Sequence, residues 1–180
     1  MSPGPLTSGT SLQIRPETAD DQRAIHNLTA NAFASMTFSD GTEADCIDRL
    51  RADGDLLLSL VAENFETGDI IGHCAFSHAI VSAAQGNWIG LGPISVRVDQ
   101  RRRGIGRQLV ETGLKHLQLQ GAAGCVLIGN PDIYTRLGFA SNGYLEYRDL
   151  TPDLIMYRVL NGVAPRGRIT FAPGLEGTAA

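Results

Sequence analysis

The chain is 180 residues long, 43% hydrophobic and 19% charged, with a formal net charge of −4. Such a length suits one domain, with or without a tail, and such a composition can bury a core, which excludes global disorder. A mildly acidic chain also argues against general nucleic-acid or membrane-surface binding.

Cys46, Cys74 and Cys125 are far apart and odd in number, so they read as reduced core thiols with no disulfide framework. Residues 1–11 lack a basic segment followed by an apolar one and read as a polar leader, not a signal peptide. No apolar run approaches the roughly 18–20 residues that span a bilayer. A soluble cytoplasmic protein with no membrane partner is expected.

Leu12–Arg15 reads as a first strand, stopped by Pro16. Thr18 and Asp21 form a capping-box pattern ahead of a helix whose apolar face is Ala24, Ile25, Leu28 and Ala32. After the loop Ser35–Gly41, Thr42 is placed to cap a second helix with Cys46, Ile47 and Leu50 facing inward. Leu56–Ala62 is a buried strand, Asn64–Gly68 a hairpin loop, and Asp69–Val81 and Trp88–Val98 are two further strands. Gly92-Pro93 lies inside the last of these; proline cannot donate to a sheet ladder, so a bulge or an unpaired edge is expected there. A third helix runs from Gly104 to about Gln120, with Ile105, Leu109, Val110, Leu114 and Leu117 on its apolar face. A strand at Cys125–Ile128, a short helix at Asp132–Leu137 and a strand at Leu154–Val159 follow. The order implies a mixed α/β sheet in one domain over residues 12–160, with residues 161–180 an irregular tail packed on or near it.

The chemistry starts at Val96–Gly106. A strand ends, a tight loop follows and a helix begins; the first turn of a helix offers unpaired N–H groups and the positive end of the dipole. Gly104 and Gly106 clear space for oxygens, and Arg101, Arg102, Arg103 and Arg107 supply charge-assisted donors. A third glycine, as in a dinucleotide fingerprint, is replaced by Leu109, and no Gly-Lys-Ser/Thr follows. From these residues alone the loop is either a cradle for a small polyanion or a solvated arginine turn at a helix start.

The run Arg101-Arg102-Arg103-Gly104-Ile105-Gly106 resembles the CoA-binding pattern Gln/Arg-x-x-Gly-x-Gly/Ala of the GNAT acetyltransferase superfamily. About 30 residues on, Asn130 followed by Tyr134-Thr-Arg-Leu-Gly138-Phe139 resembles that family's second pattern. Gly90–Val96, Gly129–Phe139 and Gly167–Pro173 look like the bacterial YhbS-like subgroup, in which Gly-Asp-Pro commonly stands where this chain has Gly129-Asn130-Pro131. The resemblance covers about Leu12 to Pro173. It implies a seven-stranded, largely antiparallel mixed sheet, splayed between its fourth and fifth strands, with helices on both faces. It implies acetyl-CoA as cosubstrate, its pantetheine arm paired with the backbone of Val96 and Val98 and its pyrophosphate held by the amides of residues 102–107. Asn130 and Tyr134 complete the cofactor-binding set, and no metal is implied.

Acyl transfer to an amine needs a neutral amine, an oxyanion donor and an acid for the departing thiolate. The resemblance points to a backbone N–H near Val96 for the oxyanion and to Tyr134 as the catalytic acid; a phenol at about 10 can protonate a thiolate whose acid is near 8.5. The alternative for Tyr134 is core packing beside Phe139. No general base is assigned. His73 and His78 differ by an odd number on one strand and so face opposite sides, so that one of them can face the cleft; Glu63, at the end of the second strand, is placed to relay a proton through water, and Glu43 and Asp45 have solvated readings. Cys125 lies in an apolar strand, where thiols are inert, and neither a metal-ligand spacing nor a nucleophile elbow occurs. Phe33, Met36 and Phe38 are either an apolar acceptor wall or helix-end packing. The expected activity is N-acetylation of a primary amine on a small molecule or peptide. An idle acyl-CoA-binding sensor is the alternative, and a nucleic-acid module is opposed by the charge. Dimers are common among related proteins, so a homodimer is the assembly to test.

Overall fold

The computed structural model describes residues 11–176, so the leader expected at residues 1–11 lies almost wholly outside the described residues. The strands are β1 Leu12–Pro16, β2 Leu56–Asn64, β3 Ile70–Val81, β4 Trp88–Val96, β5 Gly124–Ile128, β6 Leu145–Glu146, β7 Ile155–Val159 and β8 Gly167–Phe171. The helices are α1 Gln22–Phe33, α2 Glu43–Ala52, α3 Ile105–Leu119, α4 Pro131–Tyr134 and α5 Pro173–Glu176. Strand order is β1-β2-β3-β4-β5-β7, with β8 paired to β3 and β6 paired to β8. All these pairs are antiparallel except β4–β5 and β6–β8.

The sheet is thus the mixed, mostly antiparallel one the sequence implies, with one strand more than the seven expected. The extra strand comes from the tail read as irregular. β2 runs out at Leu56 opposite Ser77, which leaves the end of β3 without a neighbour on that side. β8 fills the vacancy, pairing Ala79, Ile80 and Val81 with Phe171, Thr170 and Ile169.

One local prediction holds and two are refined. The Thr18/Asp21 box forms: the Asp21 carboxylate accepts from the Thr18 amide (2.7 Å) and hydroxyl (3.0 Å) and pairs with Arg15. Thr42 does not cap α2; its hydroxyl donates to Asp40 at 2.5 Å. On α1 the buried set is Ile25, Leu28, Thr29 and Ala32, while Ala24 is exposed. Thr29 can take an interior position because its hydroxyl meets that of Ser95 on β4 at 2.9 Å.

The larger core lies between the sheet and α3, where Leu60, Phe76, Leu109, Leu114, Leu127, Phe139 and Met156 are buried. Burial of each such side chain contributes roughly 1.5–3 kcal/mol. The fit is close: a Cβ on Gly113 would stand 2.2 Å from the Phe76 ring, and one on Gly72 would stand 2.9 Å from Ile105 Cγ2. Smaller clusters under α1 and α2 hold Ile25, Ile47 and Val61, and Cys46, Leu50 and Ala172. No described helix is long and apolar enough to cross a membrane.

Candidate active site

The sheet opens between β4 and β5. Their parallel pairing is confined to Trp88–Gly90 against Gly124–Val126. Beyond it, Gly92-Pro93 bulges β4: Cys74 faces Ile94, Phe76 faces Leu91, and one residue of β3 spans two of β4. Gly92 has φ of 125°, which a side chain does not tolerate. The Arg97 N–H donates to Ile71 O at 2.9 Å. In an antiparallel ladder the next residue points the other way, so the amide and carbonyl of Val96 face the opening.

Val98 is not strand. It begins a 3-10 turn, Val98–Gln100, and its carbonyl accepts from the Arg101 N–H at 3.4 Å. β4 therefore ends two residues earlier than expected, because the chain must turn sharply to enter α3. Arg102 (φ 62°) and Gly104 (φ 78°) are both left-handed, which turns the chain sharply into α3. The first N–H within α3 to find a helical acceptor is that of Gln108, bonded to Gly104 O at 3.0 Å. The amides of Ile105, Gly106 and Arg107 are those of an open first turn.

The four arginines divide. Arg102, Arg103 and Arg107 are exposed, and no hydrogen bond or ion pair engages them among the described residues. Arg101 is committed to the protein: its Nη2 donates to Ala32 O in the last turn of α1 (2.8 Å) and its Nε to Val96 O (3.4 Å). Its guanidinium is thus a brace between α1 and β4, unlike those of the other three arginines. Nearby, Arg97 is paired with Asp99 at 2.7 Å.

On the β5 side, Asn130 caps α4, its Oδ1 accepting from Asp132 N at 2.9 Å. Tyr134 ends that helix. Its ring packs edge-on against Phe139, with centroids 6.1 Å apart, and joins the main core. Burial, with smaller contributions from Cys74 and Cys125, pushes its phenol up to about 12. The ring is thus packed beside Phe139, as the alternative reading expects, and the hydroxyl has no hydrogen-bond partner among the described residues.

The base candidates are hydrogen-bonded, exposed or buried. Glu63 accepts from Arg15 at 2.6 Å, and Glu43 accepts from Ser39 at 2.8 Å. His78 and Asp45 are exposed, whereas His73 is fully buried. Burial pushes His73 down to about 4, Glu17 opposing and Arg51 reinforcing. Ser59 donates to Glu17, so its oxygen accepts from His73 Nε2–H (2.8 Å), which fixes the neutral tautomer and leaves Nδ1 unpartnered. Cys125 is fully buried and its thiol is raised by desolvation, which suits an inert core group. Phe33 and Phe38 pack edge-on at 6.5 Å, with Phe38 80% exposed just beyond α1. A separate groove of about 440 Å³, walled by Ala24, Leu28, Ile70 and Val98 among others, lies on the α1 side of the β4 end; Tyr134 and the first turn of α3 are not among its walls.

Sequence reasoning missed the Arg101 brace and the buried Glu17–Ser59–His73 chain. The latter left one trace, a serine inside the apolar run Leu56–Ala62.

An acetyltransferase (GNAT) domain model matches residues 57–141. The N-acetyltransferase YhbS of Escherichia coli (strain K12) is 39% identical over 135 residues, covering 75% of this chain and 77% of that protein. The chain belongs to the GNAT acetyltransferase family. Among solved structures, Escherichia coli YhbS in complex with CoA superposes with a TM-score of 0.81 at 33% identity over 92% of each chain. A GNAT family acetyltransferase from Brucella melitensis in complex with acetyl-CoA gives 0.80 at 33% identity, over 92% of this chain and 98% of that one.

Proposed function

We propose that this chain transfers an acetyl group from acetyl-CoA to a primary amine of a small molecule or peptide, by direct attack in a ternary complex. What supports this reading is that β4 runs on to Val96 after its pairing with β5 has stopped, that the open first turn of α3 follows beside Arg102, Arg103 and Arg107, and that β5 leads directly into α4, which ends at Tyr134. A pantetheine arm pairs with the Val96 backbone as an added strand. The amides of residues 102–107 hold the pyrophosphate, with Arg102, Arg103 and Arg107 as ionic partners; Arg101 contributes through its backbone. Val98 and Asn130 shape the two ends of the opening, Val98 through its turn and Asn130 by capping α4.

The neutral amine attacks the thioester carbonyl carbon and the C–N bond forms. The oxyanion accepts from a β4 amide near Val96. As the C–S bond breaks, the thiolate takes the Tyr134 proton, the amine proton passes to ordered water, and solvent restores the phenol. A phenol held at about 12 stays protonated at neutral pH but is a weaker acid than an ordinary phenol, so the role rests on a direct hydrogen bond to the charge building on the sulfur.

A screen of amines, polyamines, aminoglycosides and peptides with acetyl-CoA, read as free-thiol release, tests the reading. Turnover on at least one amine is expected. Tyr134→Phe lowers kcat by about 100-fold while acetyl-CoA binding stays within about twofold. Unchanged turnover removes Tyr134 from the mechanism. The occupied state of Glu63, Glu43 and His73 favours a second reading, an acyl-CoA-binding module without turnover. Tight acetyl-CoA binding with no thiol release on any amine would establish it.

A further inference from the structure

Gly129 sits between β5 and α4, and its backbone does not need to be glycine: its φ is outside the left-handed region where Gly92, Gly104 and Gly138 lie. Its surroundings forbid a side chain instead. A Cβ there would stand 2.3 Å from Tyr134 Cε2, 2.7 Å from Tyr134 Cδ2 and 3.1 Å from Leu127 Cδ1. Leu127 Cδ1 is the end of a flexible side chain and can give way. The face of the tyrosine ring cannot move without turning the whole side chain.

Nor can the backbone retreat. The Gly129 N–H is tied to Leu154 O at 2.9 Å. The next residue, Asn130, caps α4 and accepts the Tyr134 N–H at 3.2 Å, while Tyr134 O accepts from Phe139 N at 3.1 Å. Both ends of the short segment Gly129–Tyr134 are therefore fixed, and the ring lies folded back over the residue that precedes the cap.

We infer that Gly129 is a positioning residue for Tyr134: its missing side chain is the seat of the phenol ring and sets the direction in which the hydroxyl points. The seat is independent of what the phenol does; its kinetic consequence rests on the proposed role of Tyr134 as the acid. A methyl group at this position turns the ring out of the opening and away from Phe139, leaving the cradle of Arg102, Arg103 and Arg107 untouched.

Gly129→Ala, Tyr134→Phe, Tyr134→Ala and the doubles Gly129→Ala/Tyr134→Ala and Gly129→Ala/Tyr134→Phe test this. Phenol ionisation is followed at 295 nm up to about pH 11 while the far-UV signal stays native. Tyr134, held at about 12, is only about a tenth ionised at pH 11 in the wild type, and Gly129→Ala adds close to one phenol titrating near the ordinary value of about 10. In thermal unfolding Gly129→Ala lowers Tm beside Tyr134 but has no further effect on Tyr134→Ala, a coupling that a general backbone effect would not show. In kinetics Gly129→Ala lowers kcat to the Tyr134→Phe level with acetyl-CoA Kd unchanged, and the Gly129→Ala/Tyr134→Phe double falls no further. The inference is overturned if alanine costs the same Tm in both backgrounds, or if no additional phenol appears. Should Tyr134→Phe keep full turnover while the titration and the stability cycle behave as described, the acid role fails and the seat stands. Should the Gly129→Ala single not fold while Gly129→Ala/Tyr134→Ala does, the seat is again supported.

Discussion

Four arginines within seven positions look alike in the sequence, and the structure gives them two jobs. Arg101 turns back onto Ala32 O and Val96 O, while Arg102, Arg103 and Arg107 remain free for solvent or an anion. The backbone turns left-handed at Arg102, with φ of 62°, immediately after the bound Arg101. Residue type and spacing made the loop legible as an anion site; they carried no information on which guanidinium faces inward. Replacing Arg102, Arg103 or Arg107 singly by glutamine is expected to weaken acetyl-CoA binding roughly tenfold each, since a charge-assisted hydrogen bond is worth about 1.5–3 kcal/mol. Calorimetric titration at two salt concentrations checks it, with a shallower salt dependence in each variant. Arg101→Gln is expected to lower Tm instead, by freeing the last turn of α1.

At the scale of elements, the helices were readable because their apolar faces recur at helical spacing and because Gly104 and Gly121 mark the ends of α3. β8 was not readable. Gly167–Phe171 is a short run flanked by prolines and glycines, and it becomes a strand only because β3 outlasts β2 by a few residues, a fact about chain segments some 90 positions apart. The inward turn of Thr29 was hidden likewise, since its partner Ser95 lies 66 residues away. The junction of β4 and α3 gives a sharper test. A Cβ on Gly104 meets open space, so Gly104→Ala is penalised only through its φ of 78°. The cost is about 1–2 kcal/mol, or a Tm lower by roughly 2–8 °C in a chain of this size. Gly106→Ala, whose Cβ makes ordinary contact with Val96 at 3.7 Å, is expected to unfold within about 1 °C of the parent. Differential scanning fluorimetry separates the two.

For the molecule as a whole, acid is the weak direction. Burial holds His73 near 4 when folded, against an ordinary 6.5, so between those values the unfolded chain binds a proton that the native chain refuses. Stability is therefore complete above about 6.5 and declines as the pH falls toward 4. Glu17 is raised by burial but lowered more by Arg51 and Ser59; its net depression adds a further loss on the acid side. Urea unfolding at a series of pH values should show this slope, and His73→Asn should flatten the part between about 6.5 and 4. A histidine in a strand could be read as buried from the sequence, but not as the end of a chain through Ser59 to Glu17, because those residues come from three separate segments.

The short β4–β5 pairing has one more consequence. Three residue pairs join β4 to β5, and a further three join β8 to β3, so the strands after α3 are held to those before it at two separate places. Beyond its three pairs the β4–β5 line carries no ladder among the described residues, so Leu91–Val96 and Leu127–Ile128 present margins that an extended chain lying between them would bridge, joining the two strands where the sheet itself does not.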